Sequence, residues 1–279
     1  MKDQIDLSKM ETVSKMLPNG YERLQRYWRE PTSQMWDEIW SRTNGKEYWK
    51  NALNGELLYD YKKVFEKYLQ PGSKILEAGC GLGQVVLALR TRGFNCYGLD
   101  YADKVINILK NNFPNVPFDI GDIRNMNYKD NSFDSYISLG VIEHFTEGQE
   151  DMLKEAARVL NENGIIFLSV PFYSPFRKIL NKFGKYKKDN HFSELPYFES
   201  CFSKEELQFL FNNSGFDIVD YVYINPIMPF VQETFLRPLY FFVEDKIKIR
   251  GLIDRVLKTL LPKKIFSHMI MIVARKKSS

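Results

Sequence analysis

The chain has 279 residues, of which 44% are apolar and 27% charged, a balance typical of a globular protein with an ordinary core. Its formal net charge of +4 is too small to require a nucleic-acid partner. Its three cysteines have neither metal-site spacing nor the number of a disulfide framework, which favours a reducing, cytoplasmic location. The first residues lack the apolar core of a signal peptide, and no run of about eighteen apolar residues predicts a membrane-spanning helix.

Residues 1–70 are predicted to form an amino-terminal helical cap. The stretch 20–69 is rich in aromatic residues, and apolar residues between Leu57 and Leu69 recur at helical spacing. Pro71 and Gly72 end this helical pattern. We therefore place a domain boundary after residue 70.

From Lys74 onward, short apolar runs alternate with helical patterns. Seven runs are predicted strands: 74–78, 95–99, 116–120, 133–139, 164–170, 216–224 and 269–274. Helices are predicted between them, at 84–92, 102–112, 147–160 and from the capping box at Ser203 to Gly215. This alternation predicts an α/β fold in which a doubly wound, mostly parallel sheet is covered by helices on both faces. The core would span residues 71–277, with inserts at 171–202 and 225–267.

Three glycines, Gly79, Gly81 and Gly83, occupy the predicted first strand-to-helix turn. Ligands of open parallel sheets bind beyond the carboxyl ends of the strands, and glycine lets the backbone turn sharply and approach a ligand. A dinucleotide fingerprint would require a sixth-position glycine, but Gln84 stands there. The pattern that is present is E-x-G-x-G-x-G, starting at Glu77.

This pattern resembles the first motif of the class I S-adenosylmethionine-dependent methyltransferases. Four further stretches follow in the family's order: "YGLDYAD", "FDIGDI", "SFDSYISLGVIEHF" and "ARVLNENGIIFLSVP". The resemblance covers about residues 70–224 and implies a Rossmann-like core, S-adenosyl-L-methionine as cofactor and methyl transfer as the reaction. The stretch "VIEHF" most resembles the group of O-methyltransferases that act on quinone precursors.

The resemblance also assigns roles to individual residues. It implies a cofactor site made of Glu77, Gly79, Gly81, Gly83, Asp100, Tyr101, Asp122, Ile123 and Leu139. Asp100 would accept the ribose hydroxyls, and Asp122 with the Ile123 amide would bind the adenine ring, on which Tyr101 would stack. Glu77 would anchor the glycine turn near the methionyl ammonium. The alternative for each carboxylate is a solvated loop position.

His144 is the candidate general base, because it follows the fourth strand and because histidine titrates near neutrality. His191, in the first insert, is a second candidate. Each could instead be a packing or loop histidine. The resembled group holds a divalent metal with an acidic residue three positions before its Glu-His pair, where this chain has Gly140, so no metal site is predicted.

The inserts are predicted to form a lid over the acceptor. Phe176, Ile179, Leu180 and Phe183 share one helical face of the first insert, and basic residues accompany apolar ones in the second. Such patterns suit a lid, an interfacial membrane element or a dimer contact. An acceptor cavity capped by aromatic residues is expected, with walls from Trp36, Trp40, Tyr48 and Trp49.

The sequence therefore predicts an enzyme that methylates a small, hydrophobic or lipid-linked acceptor, with oxygen favoured over nitrogen because a histidine base is present. The expected location is cytoplasmic, or peripheral at the inner face of a membrane. An RNA or protein methyltransferase is an alternative, although the Asn/Asp-Pro-Pro-aromatic tetrad of nucleic-acid amino methylation is missing and nucleic acid is not the expected partner. A partner subunit that binds the cofactor without catalysis is another alternative.

Overall fold

A computed structural model describes residues 10–42, 45–57, 61–188, 193–233, 256–257 and 259–278. His191 and most of the second insert lie outside these residues. No helix within the described ranges combines the length and the apolarity needed to cross a bilayer.

The strands are β1 (Glu11–Met16), β2 (Glu22–Tyr27), β3 (Lys74–Ala78), β4 (Asn95–Asp100), β5 (Phe118–Ile120), β6 (Phe133–Leu139), β7 (Leu160–Pro171), β8 (Tyr197–Cys201), β9 (Phe216–Ile224) and β10 (Met269–Lys276). The helices are α1 (Ser33–Arg42), α2 (Gly45–Leu53), α3 (Tyr61–Tyr68), α4 (Gln84–Thr91), α5 (Asp103–Asn112), α6 (Gln149–Val159), α7 (Pro175–Lys182), α8 (Lys204–Asn213), α9 (Ile227–Glu233) and α10 (Lys263–Phe266). A 3-10 turn spans Ile142–His144.

Seven strands form one sheet in the order β5-β4-β3-β6-β7-β10-β9. The first five pair in parallel, whereas β10 runs antiparallel to both β7 and β9. The strand order reverses between β3 and β6, which is where ligands of such sheets bind. This sheet confirms the predicted Rossmann-like, mostly parallel seven-stranded fold.

The sheet is buried on both faces, as the continuous apolar runs of its strands predict. Ile75 and Leu76 point to opposite faces of β3, and both side chains are fully buried. Phe65 of α3 packs edge-on against Phe167 of β7, with ring centroids 5.1 Å apart. Each such side chain contributes about 1.5–3 kcal/mol of burial free energy, which fixes the helices relative to the strand ends.

The amino-terminal cap is only partly helical, which corrects the prediction for residues 1–70. Strands β1 and β2 join β8 from the first insert in a separate antiparallel sheet of order β1-β2-β8. The β2 strand lacks an apolar alternation because it buries arginine: Arg23 donates to Glu206 at 2.8 Å and covers the Phe202 ring. Within the described residues, the first helix is α1. The division of the chain at residue 70 stays a prediction.

Candidate active site

A cavity of about 670 Å³ lies beyond the carboxyl ends of β3, β4 and β6. The core contributes the residues that follow these strands, and α1 and β8 contribute an aromatic wall. The lining is Glu30, Pro31, Trp36, Trp40, Gly79, Gly81, Asp100, Tyr101, Gly121, Asp122, Ile123, Arg124, Leu139, Gly140, Val141, His144, Phe145, Thr146, Pro196 and Tyr197. Eight of the eleven residues predicted for the site therefore meet at one cavity.

The glycine turn forms the floor of this cavity. Gly79 has φ +81°, and a Cβ there would lie 2.3 Å from a Val141 methyl carbon. Gly81 has φ +48°, and a Cβ there would approach the Trp40 indole to 3.2 Å. Both positions need glycine because the left-handed backbone and the close neighbours exclude a side chain. Gly83 does not line the cavity: it precedes α4, and Phe118 packs where its side chain would be.

Asp100 joins the end of β4 to the glycine turn. Its Oδ2 accepts the Gly81 amide at 2.8 Å and its Oδ1 accepts the Ala102 amide at 3.0 Å. The side chain is 7% exposed, and this burial raises the pKa of Asp100, although the amide hydrogen bonds act in the opposite direction. An ionised carboxylate has about four acceptor positions, so the Asp100 oxygens can also accept a hydroxyl donor in the cavity.

Glu77 lies outside the cavity lining and holds α4 to the end of β3. Its Oε2 accepts the Val86 amide at 3.0 Å. Burial raises the pKa of Glu77 to about 8, and the nearby charge of Asp100 acts in the same direction. This hydrogen bond joins Glu77 to α4 directly after the glycine turn. The roles implied for Glu77, as an anchor of that turn and as a neighbour of the methionyl ammonium, stay predictions.

Asp122, Ile123 and Leu139 line the cavity together with Arg124, and their predicted contacts with the cofactor stay predictions. Burial would raise the pKa of Asp122, but hydrogen bonds from Arg124 outweigh it and hold that pKa below its usual range. Arg124 also lies over the Phe145 ring, with its guanidinium carbon 5.2 Å from the centroid. The motif indicated Asp122 and Ile123, whereas nothing in the sequence pattern indicated Arg124.

Tyr101 connects the cavity to the amino-terminal segment. Its hydroxyl donates to the Pro31 carbonyl at 2.6 Å. This hydrogen bond holds the residues that precede α1 at the rim of the cavity. The predicted stacking of Tyr101 on an adenine ring stays a prediction.

His144 ends the 3-10 turn after β6 and contacts two aromatic rings. The centroids of Trp36 and Phe198 each lie 4.9 Å from that of the imidazole. Its Nδ1 lies 2.8 Å from the Phe198 carbonyl oxygen. A carbonyl only accepts, so Nδ1 carries the proton and Nε2 of the neutral ring keeps its lone pair. Burial lowers the pKa of His144, although Glu199 and the Phe198 hydrogen bond oppose the shift.

Glu143, His144 and Glu199 bring three potential ligand atoms within 4.8 Å of one another. Glu143 is 2% exposed, its Oε2 has no hydrogen-bond partner, and burial raises its pKa well above the usual range. Glu199 is paired with Arg26, with a nitrogen–oxygen distance of 2.5 Å. The pairing of Glu199 with Arg26 opposes its use as a metal ligand, and the expectation of no metal stays a prediction.

The aromatic wall differs in part from the expectation. Trp36 and Trp40 line the cavity and stack on each other, with centroids 6.0 Å apart. Trp49 instead packs in the core, where its Nε1 donates to the Leu82 carbonyl at 2.9 Å, and neither Trp49 nor Tyr48 is in the lining. Tyr197 and Phe198 of β8 were not predicted for the site.

The fold and this cavity define the class of protein. The sheet order, the glycine cradle at Gly79 and Gly81 and the fixed carboxylate of Asp100 suit a ligand with a ribose, an adenine and a methionyl group. A family model described as a methyltransferase domain matches residues 76–168. The chain belongs to the class I S-adenosylmethionine-dependent methyltransferases, and S-adenosyl-L-methionine is its cofactor.

Two of the relatives to which the chain is similar are named for the methylation of quinones or their precursors. It is 30% identical over 185 residues to the ubiquinone/menaquinone biosynthesis C-methyltransferase of Campylobacter jejuni, a match covering 57% of this chain and 77% of the relative. It is 28% identical over 188 residues to the demethylmenaquinone methyltransferase of Staphylococcus epidermidis, covering 61% and 74% respectively. These matches confirm the predicted resemblance to quinone-related methyltransferases, although the Campylobacter jejuni relative is a C-methyltransferase and the sequence prediction named the O-methyltransferase group.

Solved structures support the same fold. A chain in the complex between the Haloferax volcanii Trm112 methyltransferase activator and the putative methyltransferase matches with a TM-score of 0.58 and 14% identity. The match covers 87% of this chain and 98% of that chain. At this identity the similarity shows the fold alone.

Proposed function

We propose that the protein methylates a hydroxyl group of a small, hydrophobic acceptor, such as a lipid-linked one, with His144 as the general base. The observation that carries the proposal is the hydrogen bond between His144 Nδ1 and the Phe198 carbonyl, 2.8 Å long, in the wall of the cavity. This hydrogen bond leaves Nε2 able to accept a proton from the molecule that would receive the methyl group.

The cofactor would occupy the core side of the cavity. Asp100 and Asp122 offer carboxylate oxygens to its ribose and adenine, and the bare backbone at Gly79 and Gly81 leaves room for its methionyl part. When bound, S-adenosylmethionine supplies an electrophilic methyl group. The residues of this chain then have to align an acceptor with it and keep water out.

The aromatic wall supports a hydrophobic acceptor. Trp36, Trp40 and Phe145 present apolar surface to the cavity, and Arg124, the one Lys or Arg side chain in the described lining, is already paired with Asp122. Flat aromatic walls of this kind bind apolar or ring-shaped molecules. Because β8 lies within the first insert and adds Tyr197 to the wall, this part of the insert supports the proposed lid.

The lowered pKa of His144 supports its role as a base. An unprotonated imidazole is the form that accepts a proton, and burial keeps His144 in this form at neutral pH. Removing the proton from an acceptor hydroxyl raises its nucleophilicity toward a methyl group.

Carbon methylation is a second candidate, favoured by the name of the Campylobacter jejuni relative as a C-methyltransferase. Deprotonating an aromatic hydroxyl makes both the oxygen and the neighbouring ring carbons nucleophilic. The same base therefore serves either outcome, and the orientation of the acceptor decides which atom receives the methyl group.

Labelled methyl transfer tests the proposal. Purified protein is incubated with ¹³C-methyl S-adenosylmethionine and with separated polar and lipid extracts, and products are analysed by mass spectrometry and carbon NMR. Oxygen-, nitrogen- and carbon-bound methyl groups resonate in separate regions. We expect an oxygen-bound methyl in the lipid extract, lost in His144→Gln and retained in the control His268→Gln, whose histidine lies outside the cavity lining.

The same assay addresses the other functions. Label in RNA or protein instead of a small molecule would replace the proposal. Cofactor binding by calorimetry without label in any fraction would favour a partner subunit that binds the cofactor but does not transfer it.

A further inference from the structure

Exposed apolar side chains are concentrated at one part of the surface. Among the described residues, twelve large apolar side chains are exposed. Five of them lie in two short segments: Ile179, Phe183, Val256, Leu260 and Ile265. Phe183 is 85% exposed and Leu260 69%, which are the two largest values of the twelve. Scattered single apolar residues are ordinary, but such a concentration marks an interaction site.

The two segments lie next to each other at the end of the sheet that holds the cavity. Phe176 of α7 contacts Phe266 of α10, with ring centroids 4.9 Å apart. α7 follows the last residue of β7, Pro171, which pairs with Met269, the first residue of β10 after α10. Both helices therefore lie at the carboxyl end of β7, at the same edge of the sheet as the cavity.

The same segments have an extreme charge. Residues 175–188, 256–257 and 259–266, here called the basic apolar surface, contain eight of the chain's 39 Lys and Arg and none of its 35 Asp and Glu. The remaining chain is consequently net negative, although the whole protein is at +4. Arg177 is buried beside Glu233, and Lys178 and Lys187 pair with Glu205 and Glu11. The exposed charge therefore comes from the other lysines, among them Lys182, Lys185 and Lys264.

We infer that the basic apolar surface docks on a bilayer that contains anionic phospholipids. Lysines placed around exposed Phe183 and Leu260 match the chemistry of the interface, where lipid phosphates attract the ammonium groups and the acyl region accepts the apolar side chains. A second copy of the surface would place lysines against lysines. A nucleic acid would attract the lysines but leave the aliphatic side chains in water.

The inference rests on the proposed function in one respect, because docking at this end of the sheet would bring the cavity to a membrane-borne acceptor. The docking itself needs no methyl transfer. Binding to vesicles and turnover can therefore fail separately, and one failure does not imply the other.

Vesicle co-sedimentation of the full chain tests the inference. Vesicles of phosphatidylcholine alone are compared with vesicles that also contain phosphatidylglycerol. We expect at least about tenfold stronger binding to the anionic vesicles, weakened by added salt as screening requires. The double variants Phe183→Ser/Leu260→Ser and Lys182→Glu/Lys185→Glu should each lose about tenfold or more.

Matched controls use exposed residues elsewhere. Phe209→Ser on α8 and Lys110→Glu on α5 remove the same side-chain types from outside the basic apolar surface and should bind vesicles like the wild type. Unchanged cofactor affinity by calorimetry shows that each variant is folded.

Three results would overturn the inference: equal binding to neutral and anionic vesicles, undiminished binding of both surface variants, or equal loss in the controls. Concentration-dependent self-association of the wild type that Phe183→Ser/Leu260→Ser abolishes, without vesicle binding, would identify a protein interface instead. Vesicle binding with no methyl transfer to any acceptor would leave this inference standing and remove the proposed function.

Discussion

The buried carboxyl group of Glu77 allows a quantitative test of how the cofactor turn is held. Glu77 is 4% exposed, and in its one described hydrogen bond Oε2 accepts from the Val86 amide at 3.0 Å. Its pKa rises to about 8, chiefly through burial. In the folded protein the group is therefore protonated at neutral pH, whereas in the unfolded chain it is ionised.

The magnitude follows from linkage between protonation and folding. A folded-state pKa of about 8 against an ordinary value of 4.5 corresponds to about 5 kcal/mol, at about 1.4 kcal/mol per pH unit. Because the folded-state pKa of Glu77 is the higher one, its protonation stabilises the folded protein. This stabilisation is fully present below the unfolded-state pKa and is lost as the pH rises through 8. Glu77→Gln keeps the shape and the acceptor oxygen but does not ionise.

Urea unfolding of the wild type and Glu77→Gln between pH 5 and pH 9 measures the effect. We expect the free energy of unfolding of the variant, relative to the wild type, to rise by about 1.4 kcal/mol per pH unit up to pH 8 and then to level off. Glu162→Gln, at an exposed position, should show no such slope. A difference between Glu77→Gln and wild type that is constant over this range would refute the assignment of a buried, protonated Glu77.

Four further predictions concern the cavity. Gly79→Ala should lower cofactor affinity at least about tenfold and cost about 1–3 kcal/mol of stability, because a Cβ there would lie 2.3 Å from a valine methyl carbon. The control Gly184→Ala, also at positive φ but with open space around it, should keep cofactor affinity. His144→Gln should reduce kcat about 10²–10⁴-fold without changing cofactor affinity measured by calorimetry. In the wild type, kcat should fall only when the pH drops below the ordinary histidine pKa of 6.5, because burial lowers the pKa of His144. Asp100→Asn should weaken cofactor binding by about 1.5–3 kcal/mol in calorimetry, the range for a hydrogen bond to a charged group. Activity should survive dialysis against EDTA, and a loss restored by one divalent cation would show that a metal is required.

The seven-stranded sheet could be predicted because its signals are local. The strands are short apolar runs, helical periods follow β3, β4 and β6, and the left-handed glycines at Gly79 and Gly83 mark the first turn. The carboxylates after β4 and β5 follow in motif order. Since the cofactor side of the cavity is built from one nearly continuous stretch, its residues could be named from the sequence.

The small sheet could not be predicted, because its stability comes from contacts between distant segments. Arg23 and Gln25 are buried in β2, where the local sequence pattern of a strand would predict apolar residues. The partner of Arg23, Glu206, lies 183 residues away. Buried charge of this kind is stable only when paired, and no spacing in the sequence indicates the pair.

The acceptor side of the cavity depends on this unpredicted sheet. The motif "VIEHF" indicates His144. The tautomer of His144, however, is set by the Phe198 carbonyl, and the Tyr197 hydroxyl donates a 2.6 Å hydrogen bond to the Glu143 carbonyl in the same 3-10 turn. Strand β8 presents both residues, and it is held in place by its pairing with β2 at the amino terminus. The proposed base is therefore oriented by two segments that the family motifs do not include. Relatives that share the cofactor motifs but differ in these segments would orient the histidine differently, so the acceptor can change while the cofactor stays the same.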